Sequence, residues 1–545
     1  MDRRQFLSGL AVAGLTTACA TSSKKSSGGA PSTAAQPVET AVPTTPSTPL
    51  PDGIFSLGVA SGDPTDSAVV LWTRLASAAT TPDGGPPTGD VQVAFDVARD
   101  EAFKELVASD IAVARPDLGH SIHVDVTNLD PDSWYFYRFR VDGQTSPVGR
   151  TRTFPAPSAK ADHFRFIFAS CQDYQWGTYV LWKHAAAENP DAVVFLGDYI
   201  YELSLGDLSP AQDGSRVWAS PPPTDLATYR ARYAQTKSDP HLQAAHAAAP
   251  WIITFDDHEV ANNYAGDVGQ GDVDQPRSRD RRLAAYQAFY EHQPIRVTPE
   301  PDSFESLELQ RSLRFGTLAD LAVIETRQYA DAPACRTDAS LISDEGPSCA
   351  ALEDPKRTNL GAAQESWLAD TIAASKGTWF VLCNPVMFAS INTGTAEAPT
   401  YTRDVWDGYP AARQRVIDAI TTAKVPNPVV VTGDWHASFV NDVAASAGGP
   451  TVMPEFVGSS ISTVIFGTDY RAANPHIRYF LGEHCYASVT VTPKSFTCAY
   501  VYVENIWDEN ADQPHRHVVG HRRFPRGHAG LNGHGHGRQP GPAKV

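Results

Sequence analysis

The sequence predicts a mixed α/β domain preceded by a smaller all-β domain, and three observations predict it. Between residues 53 and 154, short β-like runs are separated by turn residues. After Pro155, short apolar runs, several rich in Val and Ile, alternate with helical stretches. Between residues 21 and about 51 the chain is largely Ser, Thr, Pro, Ala and Gly, a composition that cannot bury a core. At 545 residues the chain exceeds what one core serves, so two domains plus tails is the expected organisation.

In chain order, residues 1–20 read as a twin-arginine targeting segment. Arg3-Arg4-Gln5-Phe6-Leu7 precedes an apolar stretch over residues 10–18 that is too short to span a bilayer. Ala18-Cys19-Ala20 offers a cleavage site after Ala20, with lipidation of Cys19 as the alternative. Export is therefore expected, to a periplasmic, wall-associated or secreted location, with no transmembrane segment in the mature chain. Residues 21–52 read as a disordered linker. Residues 53–155 carry β-like runs at 68–72, 91–97, 122–126 and 134–141, which suggest an immunoglobulin or fibronectin-type sandwich.

Residues 156–507 form the second domain. Its apolar runs at 164–170, 192–197, 251–255, 319–325, 378–384 and 427–433 alternate with helices expected over 281–292, 362–375 and 411–423. That pattern implies buried sheets. Residues 508–545, rich in Gly, His, Arg and Pro, read as a flexible tail. Disulfides are permitted outside the cytosol. Cys335 with Cys349 is the best pair, Cys485 with Cys498 a second across a predicted hairpin, and Cys383 reads as core. The formal charge of −18 argues against nucleic acid as a scaffold partner, and a monomer is expected.

Four apolar runs end in residues that ligate metals: Cys171-Gln172-Asp173, Asp198-Tyr199-Ile200-Tyr201, Asp256-Asp257-His258-Glu259 and Asp434-Trp435-His436. In open α/β sheets such loops converge outside the carboxyl ends of the strands. One acidic ending reflects only the preference of Asp for turns and caps. Four together imply a shared site, and clustered carboxylates repel one another unless cations neutralise them. A dinuclear metal site able to clamp a phosphoryl group is the economical reading. No Gly-x-Ser-x-Gly elbow, His-Glu-x-x-His pair or glycine-rich phosphate loop competes with it. An exported binding or adhesion protein is the non-enzymatic alternative.

Asp198-x-x-Tyr201, the Asp-His pair near Asn262-Asn263, and Gly433-Asp434-Trp435-His436 resemble the calcineurin-like metallophosphoesterases. With Val59-Ala60-Ser61-Gly62-Asp63-Pro64, Phe168-Ala169-Ser170-Cys171 and Trp406-Asp407-Gly408-Tyr409, the chain resembles the PhoD-type alkaline phosphatase/phosphodiesterase family. The resemblance implies a four-layer α/β/β/α sandwich with a small N-terminal β-domain. It also implies a site holding ferric iron and calcium, zinc being the less expected substitute. On that pattern Asp198 bridges the ions, and Cys171, Tyr201 and His436 serve iron. Asp434, Asp173 and Asn262 (or Asn263) offer oxygen to calcium.

At the third loop two roles stay open. His258 contacts phosphate or protonates the leaving group, or Asp257 is the ligand with His258 behind it. Arg327 is the candidate donor to the phosphoryl group, Lys237 a weaker one, and residues 204–223 a rim loop. The expected reaction on a small phosphate ester is hydrolysis of mono- or diesters by in-line attack of a metal-bound oxygen. A phospholipase D-like phosphodiesterase is the alternative.

Overall fold

The computed structural model describes residues 38–46, 49–77, 88–203, 216–268, 275–297, 304–335, 345–446, 448–511 and 514–522. The targeting segment, the first part of the linker, residues 204–215 of the rim loop and the end of the tail lie outside them.

The short apolar runs become strands because they are buried on both faces. Phe164–Gln172, Ala192–Leu196 and Trp251–Thr254 pair in parallel at the centre of a ten-stranded sheet. Cys485–Val491 and Ser495–Tyr502 extend it antiparallel. Ala319–Val323, Trp379–Asn384 and Pro428–Thr432 are the parallel centre of a seven-stranded sheet. Alternation along each strand sorts the side chains. Phe164, Phe166 and Phe168 point into the layer shared with Leu321, Val381 and Val431 of the second sheet, while Ile167 and Ala169 face helices.

The outer face of the first sheet is covered by Val180–Ala187, Leu226–Lys237, Pro240–Ala248 and Gln275–His292. Gly361–Ala374 and Pro410–Ala423 cover the second. The result is an α/β/β/α sandwich, as expected.

The N-terminal β-domain is a sandwich too, but one of its sheets is not its own. Val91–Ala98, Leu106–Ala114, Trp134–Val141, Gln144–Thr145 and Gly149–Arg152 form a five-stranded antiparallel sheet. It packs Val93, Phe95, Tyr137 and Phe139 against Val69, Leu71 and Ile122. Those last residues lie on strands that continue the ten-stranded sheet, through Val59–Gly62 paired in parallel with Trp251–Thr254.

At the junction a Cβ on Gly62 would fall 2.0 Å from the Pro294 carbonyl oxygen and 2.6 Å from that of Trp251, so only glycine fits. Asp63 follows, buried, accepting from the Arg296 amide and from Arg311 Nε, both at 2.7 Å. The motif around Val59–Gly62 therefore welds the domains together.

Three expectations need correction. His515–Arg522, read as part of the flexible tail, is an edge strand antiparallel to Ser495–Tyr502; its Val519 packs on the inter-sheet core. The linker is held from about residue 41 onward: the Ala41 amide donates to Ser109 Oγ at 2.8 Å, Arg140 donates to the Ala41 carbonyl at 2.7 Å, and Leu50 enters the β-domain core. Cys335 and Cys349 are disulfide-bonded, but Cys485 and Cys498 are free and buried. Register separates that second pair, since Cys485 lies opposite Tyr502 and Cys498 opposite Val489. Cys383 is core. Among the described residues no helix is long and apolar enough to cross a membrane.

Candidate metal centre

The four ligand-bearing loops leave neighbouring strand ends, and three of them do so through backbone that most side chains avoid. Cys171, Asp198 and Asp434 have φ of 60°, 58° and 67°, and His436 has 51°. For residues other than glycine this left-handed region costs about 1–3 kcal/mol and persists where the surroundings impose it, commonly at functional sites. Close packing supplies the constraint. A Cβ on Gly197 would come 2.4 Å from Asp256 Cβ, and one on Gly433 would come 2.5 Å from Ser170 Oγ. The Asp198 loop thus rests on the Asp256 loop, and the Asp434 loop reaches across from the second sheet to the Cys171 loop.

The side chains meet in three groups whose ligand atoms lie within 4.8 Å of one another: Cys171 with Asp198 and His436, Asp198 with Asp257 and His258, and Asp256 with Asp257 and Asp434. Asp198 belongs to two of them. The Tyr201 hydroxyl lies 3.1 Å from both Asp198 Oδ2 and His436 Nε2, which adds a phenol to the first group. Tyr199 turns the other way and bonds His246 at 2.7 Å on the helix side.

Burial dominates the electrostatics. It pushes the Asp198 carboxyl up to about 8, opposed by His258 and reinforced by Asp257. It drives Asp256 and Asp434 well above the carboxylate range, with neighbouring carboxylates adding to the effect. Asp257 runs the other way: burial alone would raise it, but Arg327 and His258 hold it below its ordinary value. The Cys171 thiol and Tyr201 phenol are raised, by burial first and Asp198 next.

These acids cannot all ionise together without added positive charge, and the buried Asp256 Oδ2 has no hydrogen-bond partner. A thiol, a phenol and an imidazole beside a shared carboxylate suit a transition metal such as iron. Three carboxylates suit a hard, oxygen-seeking ion such as calcium. The residues present fit two cations.

His258 is held on both sides. Its Nδ1 lies 2.6 Å from Glu202 Oε2, its ring lies tilted against Tyr201 with centroids 4.2 Å apart, and its Nε2 is 3.9 Å from Asp257 Oδ2. Burial works against its charge, but Glu202, Asp257 and Asp198 outweigh that and keep it protonated well above the usual imidazole range.

Arg327, expected to reach a phosphoryl group, is buried and committed elsewhere. It pairs with Asp256, donates to Asp257 Oδ1 at 3.3 Å, and lies 3.8 Å from Asp404. Lys237, the weaker candidate donor to the phosphoryl group, is buried over the Trp72 ring and 3.4 Å from His246. Asp173 is buried, with burial pushing it up to about 6, yet it belongs to none of the three groups; its Oδ1 accepts the Gln175 amide. The Asn262 amide donates to Glu202 Oε1 at 2.6 Å and the Asn263 amide to Asp257 Oδ2 at 2.6 Å, so both anchor the loop through their backbone.

Sequence reasoning gave three acids no role of their own. Asp256 occupies on its strand the place that Asp198 and Asp434 occupy on theirs, a positional signal that was there to use. Glu259 carries no such signal, yet its carboxylate accepts from the Asp198, Tyr199 and Asp256 amides and ties two loops together. Glu202 is the third, visible only through its contact with His258.

Two facing sheets whose strand-end loops gather such donors define a metalloenzyme of the phosphoesterase class. The PhoD-like phosphatase profile matches residues 166–500, and the profile of the PhoD-like phosphatase N-terminal domain matches residues 40–155. Alkaline phosphatase D of Bacillus subtilis (strain 168) is 42% identical over 460 residues, 82% of this chain and 77% of that protein. A solved structure of PhoD superposes with a TM-score of 0.80 at 38% identity, covering 87% of this chain and 92% of that one. The chain belongs to the PhoD-like phosphatase family.

Proposed function

We propose that the chain is an exported hydrolase of phosphate mono- and diesters, acting by in-line displacement at phosphorus with iron and calcium as its ions. One observation carries this reading: Asp198 joins a donor set containing sulfur and phenol to Asp257, which in turn belongs to a set of three carboxylates. Cys171, Tyr201, His436 and Asp198 would hold iron, and Asp256, Asp257 and Asp434 would hold calcium. When bound, such ions neutralise the carboxylates and stabilise charge on the attacking and leaving oxygens.

The chain's own residues do the rest. Glu202 fixes the His258 ring and keeps a proton on its Nε2, from which the leaving oxygen can take it. Arg327 orients Asp256 and Asp257. Asp173 offers a further oxygen at the edge of the site, and Asn262 or Asn263 an amide oxygen.

The test is metal analysis of the purified protein with its visible spectrum. Near-stoichiometric iron with a broad visible band, together with calcium, is expected, and Tyr201→Phe should remove the band while the fold is retained. Zinc alone would keep the phosphoesterase and overturn iron. An unchanged band in Tyr201→Phe would overturn the phenolate assignment.

Export by the twin-arginine route suits a protein that acquires its ions while folding. Changing Arg3 and Arg4 together to lysine should leave the protein in the cytoplasm; continued export would sink this part of the reading.

A further inference from the structure

Exposed apolar side chains lie on the segments that adjoin this centre of buried acids. Among the described residues ten large apolar side chains are exposed, and four of them, Leu203, Val217, Val464 and Phe466, lie on segments attached to the site. Leu203 follows Glu202, the partner of His258. Val217 follows Arg216, whose Nε donates to the Tyr174 carbonyl at 2.7 Å, one residue beyond Asp173.

Phe466 is the most informative of them. Its ring lies parallel on His436, centroids 4.9 Å apart and planes at 14°, and its amide donates to the His436 carbonyl at 3.3 Å. The side chain is nevertheless 42% exposed. One ring face is spent on His436, so the exposed area lies on the remainder of the side chain. Inward from Phe466 the rings continue, with His436 and Tyr201 at 6.4 Å and Tyr201 and His258 at 4.2 Å. Single exposed apolar residues are ordinary. Four on segments adjoining one acidic centre, one of them stacked on a residue of the ligand set, are not.

We propose that Phe466 is a specificity-determining residue whose exposed part receives a flat aromatic group of the ester, with Leu203, Val217 and Val464 as the apolar rim. The site therefore favours aromatic phosphate esters over small polar ones. This rests on the phosphoesterase reading, so the experiment separates binding from turnover. Phenylphosphonate and methylphosphonate, which share the phosphoryl oxygens and resist cleavage, are titrated into metal-loaded wild-type, Phe466→Ala and Phe466→Leu protein. In parallel, kcat/KM is measured for phenyl and ethyl phosphate.

Phe466→Ala should weaken phenylphosphonate by about tenfold, the scale of one aromatic contact, and leave methylphosphonate within about twofold. Phe466→Leu should fall between. Phenyl phosphate should lose kcat/KM mainly through KM. Equal losses for both phosphonates would overturn the proposal and make the ring a support for His436 only. Selective loss in binding, in a protein that hydrolyses neither ester, would support Phe466 and sink the phosphoesterase reading.

Discussion

Asp198→Asn should abolish ester hydrolysis, by about a thousandfold or more, while the metal-stripped protein melts at a higher temperature than wild type. Both halves follow from one fact. Asp198 is common to the soft donor group and to the group containing Asp257 and His258, so an amide there removes a negative charge from both. The same carboxyl is costly to the fold. Burial has pushed it up to about 8, so keeping or ionising it becomes more expensive as pH rises above the ordinary carboxylate value. An isosteric amide removes that cost. Enzyme assays with metal supplied, and melting curves in chelator at neutral pH, check the two signs. Retained activity would remove Asp198 from the centre.

Glu259→Gln should lower activity by about 10–100-fold and stability by about 1–3 kcal/mol, although Glu259 is assigned neither metal nor substrate. Its Oε2 accepts the Asp198 and Asp256 amides at 2.9 and 2.7 Å, and Oε1 accepts the Tyr199 amide. A glutamine keeps one acceptor and turns an NH2 toward a buried N–H. At least one donor is then left unmade, and the two loops lose their common anchor. Thermal melts and kcat on the same preparation check the pair of effects; unchanged kcat would show that the loops hold their spacing without the carboxylate.

The contrast between these residues explains what the sequence discloses. The central strands were legible because short apolar runs bounded by Gly, Asp and Pro have few other fates in a chain this long. Cys171, Asp198 and Asp434 were legible because each directly ends such a run. Glu202 and Glu259 were not, since their work depends on a fold that brings backbone amides and a histidine to them. Phe466 was hidden for a related reason: a phenylalanine in a loop looks the same whether it faces core, solvent or substrate.

Register was the other blind spot. Cys485 and Cys498 sit on paired strands, but sequence alone could not say that their partners are Tyr502 and Val489. His515–Arg522 was missed because its basic and imidazole side chains resemble a solvated tail, although the segment pairs antiparallel with Ser495–Tyr502 along its length. Two of the recognised motifs also turned out to be architectural. Asp63 holds Arg296 and Arg311, and Trp406 donates to Asn384 at 2.9 Å.

The junction at Gly62 has a consequence for how this protein can be divided. Trp251–Thr254, which delivers Asp256 and Asp257, has Ala192–Leu196 on one side and the N-terminal strand Val59–Gly62 on the other. Cutting the chain near residue 155 would strip that second neighbour and bare a hydrophobic strand edge beside the active centre. Such an edge invites intermolecular pairing. The N-terminal and catalytic regions of this chain thus share one of their sheets, and the catalytic region should be expressed in soluble form only with the N-terminal strands attached.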